Sequence, residues 1–329
     1  MLSASRYSGF QMHSLKVMVH TLRWEADDTI SVDLRPESGV TLPAFEPGAH
    51  IDLQLPNGLN RSYSLCNDTR EGHRYVVGVL RDRASRGGSR YIHDQLRVGT
   101  QLAISPPRNH FPLQEGAAHS VLVGGGIGIT PLLGMARRLT ERGLSFELFY
   151  LARSRRSAAF LGELEALKVP MTLHFDDERG GPPDLARSLA RFRSARDLHL
   201  YACGPGAMLD AFERSCGDLG LANIHMERFS AVVQPPSKDA QGAFKVELAR
   251  SDKTFSIEPG KSILDTLLEA GLDLEHSCFD GVCGACETRV LAGEPDHRDS
   301  VLSPSERTAN KSMMICVSGA KSASLRLDL

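Results

Sequence analysis

Along the first third of the chain, apolar and polar positions alternate in short runs at 15–20, 30–34, 50–53, 61–66, 75–80 and 102–105. Turn residues separate them: Pro36-Glu37-Ser38-Gly39, Pro47-Gly48 and Pro56-Asn57-Gly58. Short runs of this period and spacing predict a closed or nearly closed antiparallel β-barrel over 1–115, with one short helix at 91–96. Near residue 116 the pattern changes. Apolar runs at 120–123, 145–151, 171–175, 198–203 and 224–229 now alternate with helical stretches at 131–142, 158–167, 183–192 and 206–219. In the first of these, Leu132, Met135, Ala136 and Leu139 share one face, and Gly143 follows as a stop signal. Repeated strand–helix units predict a parallel α/β domain over 116–231, its sheet covered by helices on both faces.

Residues 232–242 (VVQPPSKDAQG) are polar and carry two prolines, which predicts a linker. The remaining stretch, 243–329, predicts strands at 244–248 and 254–257, a helix at 262–270, then strands at 287–292, 313–318 and 325–327. The chain therefore reads as a multidomain protein, part β and part α/β. It shows no internal repeat and no low-complexity segment.

Charge and composition narrow the function. The net charge of the 329 residues is -2, which excludes a nucleic-acid binder on charge alone. The last stretch is the acidic one: residues 242–329 hold 10 Lys+Arg against 14 Asp+Glu, about −4. That excess is either a plain solvated surface or a face that steers toward a basic partner. No run of about 18 apolar residues predicts a membrane span, and the start lacks the apolar core of a secretory signal. The seven cysteines are Cys66, Cys203, Cys216, Cys278, Cys283, Cys286 and Cys316. An odd number, three of them crowded together, argues for a reducing cytoplasmic setting and a metal site rather than a disulfide scaffold.

The cysteine pattern is the most specific signal. Cys278, Cys283 and Cys286 are spaced C-x4-C-x2-C, and Cys316 follows after 29 intervening residues. This is the ligand spacing of plant-type [2Fe–2S] clusters. Two irons need four thiolates, so one loop wraps the cluster and a distant segment closes it. Gly281, Gly284 and Ala285 are small enough to let backbone N–H groups turn toward the sulfurs, where they tune the potential. The competing reading is a four-cysteine zinc site, but such sites favour C-x2-C pairs in both halves, and Cys316 has no near partner.

Two glycine-bearing turns mark the α/β region. Val121-Leu122-Val123 runs into Gly124-Gly125-Gly126-Ile127-Gly128-Ile129-Thr130-Pro131, a strand, a turn and a helix start. Tyr201-Ala202-Cys203-Gly204-Pro205-Gly206 repeats the arrangement. Each alone is a tight strand–helix turn. Together, at one sheet edge, they build a cleft where a dinucleotide pyrophosphate approaches backbone and helix N-terminus. In the barrel region, Arg61-Ser62-Tyr63-Ser64-Leu65 joins a cation, hydroxyls and an aromatic ring, and Arg86-Gly87-Gly88-Ser89-Arg90 precedes a helix. The first suits a flavin ring and the second a phosphate nest, although each alone is also a generic strand or an exposed basic turn.

In this order, R-x-Y-S-L, R-G-G-S, G-G-I-G-I-T-P, C-G-P and C-x4-C-x2-C…C span nearly the whole chain. The set resembles the phthalate dioxygenase reductase and vanillate O-demethylase reductase family. The resemblance implies a ferredoxin-reductase-like flavin barrel, a nicotinamide domain and a C-terminal β-grasp ferredoxin domain. It implies FMN rather than FAD, NADH as donor, a [2Fe–2S] cluster, and a Rieske-type oxygenase as acceptor. It further implies that Arg61, Ser62, Tyr63 and Ser64 hold the flavin, and that Arg86, Gly87, Gly88 and Ser89 hold its phosphate. Gly125, Gly126, Ile127, Gly128, Thr130, Cys203, Gly204 and Pro205 would meet the nicotinamide cofactor. Phe229 would be the aromatic closing that cofactor against the flavin, and Ser64 would supply a catalytic hydrogen bond near flavin N5. The loop Ala152-Arg153-Ser154-Arg155-Arg156 would face the adenosine ribose, with Arg153 as a contact, and its three arginines keep NADPH open as the alternative donor. Two other readings stand beside this one. One is a reductase for a different acceptor, such as a cytochrome P450. The other is a non-catalytic iron–sulfur subunit similar to that of dihydroorotate dehydrogenase, whose fourth cysteine lies much nearer the third.

Overall fold

A computed structural model describes residues 14–83, 85–230 and 242–329. Nearly all of the predicted linker lies outside the described residues. The chain divides into two compact units, one running to Phe229 and the other covering the C-terminal stretch.

In the first unit, six antiparallel strands, β1 (Leu15–Ala26), β2 (Thr29–Arg35), β3 (His50–Gln54), β4 (Asn60–Ser64), β5 (Tyr75–Leu80) and β6 (Gln101–Ile104), are ordered β4-β3-β6-β1-β2-β5. The two end strands meet through a single bridge between Leu65 and Val77, which closes the barrel. Closure leaves no long unpaired edge, and the alternate inward positions (Val17, Val19, Val32, Leu34, Ile51, Leu53, Val77, Val79) fill the interior. Helix α1 (Gly88–Asp94) begins three residues before the predicted start, because Gly87 takes a left-handed conformation (φ 100°) and lets the chain enter the helix there. β1 runs to Ala26, well beyond its predicted end, because its polar outer residues pair with β2 rather than turn away.

The same unit continues as a five-stranded parallel sheet, β7 (His119–Gly125), β8 (Phe146–Ala152), β9 (Met171–Phe175), β10 (Leu198–Cys203) and β11 (Ile224–Glu227), ordered β11-β10-β7-β8-β9. Period two sorts its side chains. Leu122, Leu148, Tyr150, Tyr201 and Cys203 face α2 (Ile129–Glu141) and α3 (Leu161–Ala166). Val121, Val123, Phe149, Leu200 and Ala202 face α5 (Leu185–Leu189) and α6 (Gly206–Leu219). A one-turn helix, α4 (Asp176–Arg179), follows β9. The strand expected over 224–229 stops at Glu227, so Arg228 and Phe229 lie beyond the ladder. Helix α2 starts at Ile129 after a tight turn over Gly126–Gly128, two residues before Pro131, and ends where Gly143 turns left-handed (φ 65°).

The second unit has the mixed sheet of a β-grasp: β12 (Phe244–Leu248), β13 (Lys253–Ile257), β14 (Glu287–Ala292), β16 (Ser312–Met314) and β18 (Ser324–Leu327), ordered β13-β12-β18-β14-β16. Helix α7 (Ile263–Glu269) packs on it through Ile263, Leu264 and Leu267. A small ladder joins β15 (Pro295–Asp296) to β17 (Gly319–Ala320). Helix α8 (Pro304–Ala309) opens on a Ser303–Glu306 capping box. The strand predicted over 313–318 ends at Met314. The amides of Val317 and Ser318 both return to the Met314 carbonyl, so Cys316 sits in a turn.

Candidate functional site

The carboxyl edge of the parallel sheet assembles the nucleotide-type residues. Register pairs Cys203 with Gly124 on one side and with Glu227 on the other. The two glycine turns are in contact, with no room between them. A Cβ on Gly125 would lie 2.5 Å from Met208 Sδ and 2.8 Å from Pro205 Cδ. One on Gly204 would lie 3.0 Å from Gly125 Cα, and one on Gly128 would overlap the Cys203 carbonyl. Only glycine lets the turns nest, and the nesting leaves bare backbone at the cleft. The Thr130 hydroxyl donates to the Ile127 carbonyl at 3.0 Å, which fixes the turn around Ile127 and Gly128.

The barrel reaches this edge through β4. The Ser64 hydroxyl donates to Glu227 Oε2 at 3.3 Å, joining the flavin-type strand to the nucleotide-type edge. The Glu227 carboxyl is desolvated by the surrounding protein, which pushes its pKa up to about 8, while the Ser64 hydrogen bond opposes that shift. The residue keeps partial solvent access at its strand position. Burial likewise raises the Cys203 thiol well above its ordinary value, with Glu227 adding to the effect. Glu227 is the residue that sequence reasoning missed. Its partner stands 163 positions away, and no local pattern reports such a contact.

The two other flavin-type segments also meet. Arg61 lies across Gly88, where a Cβ would come within 2.6 Å of its Cγ and 2.7 Å of its Nε. Its guanidinium donates to the Arg86 carbonyl at 3.3 Å. A cation beside the left-handed Gly87 and the start of α1 suits a phosphate. Ser89 Oγ accepts from the Asp82 amide at 3.2 Å. Tyr63 packs against the barrel core on the opposite strand face from Ser62 and Ser64. Ser62 instead donates to buried Asp52, which also binds Arg108.

The remaining predicted residues of the first unit are exposed. Phe229 is 41% exposed. Of the loop arginines, Arg155 stacks over Phe175 at 4.5 Å and pairs with Glu178 at 3.5 Å, and Arg156 pairs with Asp27 at 3.0 Å. Arg153 is exposed, and its carbonyl accepts from the Asp177 amide at 3.0 Å.

In the C-terminal unit, Cys283, Cys286 and Cys316 are buried and Cys278 is partly exposed. Their thiols lie close enough to influence one another, Cys278 beside Cys283 and Cys316, and Cys316 beside Cys286 as well. Among the described residues no three His, Cys, Asp or Glu side chains are arranged around a single metal ion. The cysteine loop turns left-handed at Phe279 (φ 58°), Gly281 (φ 67°) and Gly284 (φ 71°). The Asp280 amide donates to Cys278 Sγ at 3.3 Å. Gly281 has no room for a side chain, because Val317 Cγ2 would lie 2.5 Å from its Cβ. Ser277, 4% exposed and next to Cys278, has a hydroxyl with no partner among the described residues. An orphaned buried donor beside four thiols fits a bound cluster, whose sulfurs accept hydrogen bonds. Among the described residues no helix is long and apolar enough to cross a membrane.

Comparison with known proteins agrees with this geometry. The family model of the 2Fe-2S iron-sulfur cluster binding domain matches residues 246–321. The phenoxybenzoate dioxygenase subunit beta of Ectopseudomonas oleovorans is 48% identical over 97% of this chain and 98% of its own length. The solved structure of phthalate dioxygenase reductase, described as modular for electron transfer from pyridine nucleotides to [2Fe–2S], is 39% identical. It superposes with a TM-score of 0.69 over 96% of this chain and 98% of that one. An intact type IV self-sufficient cytochrome P450 monooxygenase is 38% identical with a TM-score of 0.87 over 96% of this chain, which spans 41% of that longer protein.

Proposed function

Since this chain belongs to the phthalate dioxygenase reductase and vanillate O-demethylase reductase family, we propose that it is the NADH-dependent reductase component of a Rieske-type aromatic oxygenase system. The observation that carries the reading is the Ser64–Glu227 hydrogen bond, which brings a flavin-type strand to the nucleotide-type edge. FMN, when bound, supplies the conversion of a two-electron donor into single electrons, and the [2Fe–2S] cluster carries those electrons onward.

The protein's part is binding, orientation and exclusion of water. Arg61 with Arg86, Gly87, Gly88 and Ser89 would hold the FMN phosphate and Ser64 the ring, with Tyr63 on the other face of the same strand supporting it from the barrel side. The nested turns at Gly125, Gly126, Gly128, Thr130 and Cys203-Gly204-Pro205 would hold the nicotinamide cofactor. Phe229, exposed just past β11, would cover it. Glu227 keeps a proton near Ser64 at neutral pH and so spares the site a fixed negative charge. Cys278, Cys283, Cys286 and Cys316 would ligate the cluster. The barrel, the α/β sheet and the β-grasp would then be the flavin, nucleotide and cluster domains.

NADH is favoured over NADPH because Glu178 and Asp27 occupy two of the three loop arginines. Asp176 and Asp177 add negative charge beside the same loop, where a 2′-phosphate would have to sit. The acidic surface of the C-terminal unit suits an oxygenase with a basic docking face. The match to a fused P450 protein favours a second reading, a P450 acceptor. Purified protein is mixed with NADH and either a Rieske-type aromatic oxygenase or a cytochrome P450, and substrate turnover is followed. The proposal expects turnover with the Rieske component. Turnover with the P450 alone would replace it by the second reading.

A further inference from the structure

We infer that Gly78, on the barrel strand β5, is a positioning residue that sets how closely the nucleotide turn approaches the flavin strand. This inference rests on the function proposed above. Gly78 is buried in β5, opposite Ser31 of β2. A Cβ there would lie 2.6 Å from Thr130 Cγ2, 2.9 Å from Phe160 Cε2 and 3.0 Å from Phe160 Cζ. The barrel thus has a one-glycine slot, and two side chains of the α/β region fill it.

Both occupants are held firmly. Thr130 is 2% exposed, and its hydroxyl closes the turn at Ile127 while its methyl enters the slot. One side chain therefore links the glycine turn to the barrel wall. Phe160 is 3% exposed and sits at φ 58°, a left-handed conformation that a bulky residue adopts only when packing imposes it. One turn further along α2, Gly134 lies over the barrel at Leu65, where its Cβ would come 3.6 Å from the carbonyl. Leu65 directly follows Ser64. Helix α2, whose first residues carry the nucleotide turn, is therefore seated on the barrel beside the flavin-type strand at two points.

A methyl group at position 78 has to push Thr130 away by about 1 Å to reach ordinary van der Waals distance. A displacement of that size between reacting partners slows transfer by about 100-fold when orientation supplies the rate. The test uses the full-length, FMN- and cluster-loaded protein as parent, Gly78→Ala, Thr130→Ser and the double variant. Thr130→Ser removes the methyl from the slot and keeps the hydroxyl bond to Ile127. Anaerobic rapid mixing with NADH gives the rate of flavin bleaching, calorimetry on flavin-free protein gives the NADH Kd, and dithionite reduction checks that flavin and cluster are intact.

Gly78→Ala is expected to lose about 10- to 100-fold in bleaching rate, with NADH Kd and dithionite reduction like the parent's. The double variant should recover most of that loss. If Gly78→Ala fails to retain flavin, Thr130→Ser alone is decisive: loosening the slot should slow bleaching several-fold at full flavin content. A flavin-loaded Gly78→Ala reduced at the parent's rate overturns the inference, as does a double variant no faster than Gly78→Ala, or Thr130→Ser as fast as the parent. A parent that NADH does not reduce at all would instead sink the reductase reading itself.

Discussion

Glu227 should carry a proton at neutral pH, and its replacement by glutamine should stabilise the protein in a pH-dependent way. In the unfolded chain a glutamate ionises near 4.5, whereas in the fold desolvation moves that to about 8. Between those values the native state binds more protons than the unfolded one, so this group's contribution to stability falls as pH rises from about 4.5 to about 8 and is level above. At about 1.4 kcal/mol per pH unit the interval sets a ceiling of about 5 kcal/mol. Glu227→Gln keeps the shape and an acceptor oxygen for Ser64 but does not ionise. Urea unfolding at pH 5.5 and pH 9 checks it. Relative to the parent, the variant should gain about 3 kcal/mol between the two conditions, because only the span from pH 5.5 to about 8 contributes. An unchanged difference at both pH values would refute the protonated carboxyl.

Other outcomes follow from the same geometry. Gly128→Ala drives a Cβ into the Cys203 backbone, which has no rotamer to give; thermal unfolding should show a loss of about 3 kcal/mol, and NADH binding should weaken with it. Asp27→Asn combined with Glu178→Gln releases Arg156 and Arg155; kcat/KM with NADPH should rise about fivefold, and no rise would show that these carboxylates do not select the donor. Ser277→Ala removes the orphaned hydroxyl beside Cys278, and redox titration should find the cluster potential more negative, because a donor to the sulfurs favours the reduced form. His225 stacks on Tyr201 and His199, and burial together with His199 lowers its pKa. The native state therefore holds it neutral and loses stability as pH falls below about 6.5, a loss that His225→Phe should flatten in melting curves.

Much of the architecture was legible in the sequence because two periods suffice to write it. Strands such as Leu198–Cys203 and helices such as Gly206–Leu219 follow from runs of apolar residues and a left-handed glycine at the helix end. The cysteine loop is legible because its chemistry fixes its spacing. What escaped has physical reasons. Cys316 lies in a turn inside an apolar run that reads as strand, because backbone bonds to Met314 override local propensity. Helix α8 leaves only the capping box Ser303-Pro304-Ser305-Glu306 as its mark in the sequence, since the segment has no apolar face to give it a period. Ser64–Glu227 and Gly78–Thr130 are contacts between distant segments, and only the packing of strand β11 and helix α2 against the barrel makes them visible.

The central claim is a path from NADH through flavin to the cluster, and an anaerobic titration of the purified protein tests it most directly. Visible and electron paramagnetic resonance spectra are recorded as NADH is added, and the series is repeated with NADPH. The account predicts that NADH bleaches a flavin band and reduces the [2Fe–2S] cluster in the same titration, with NADPH far less effective. A protein that binds neither chromophore after cofactor loading, or that stays oxidised with both nucleotides, would contradict it.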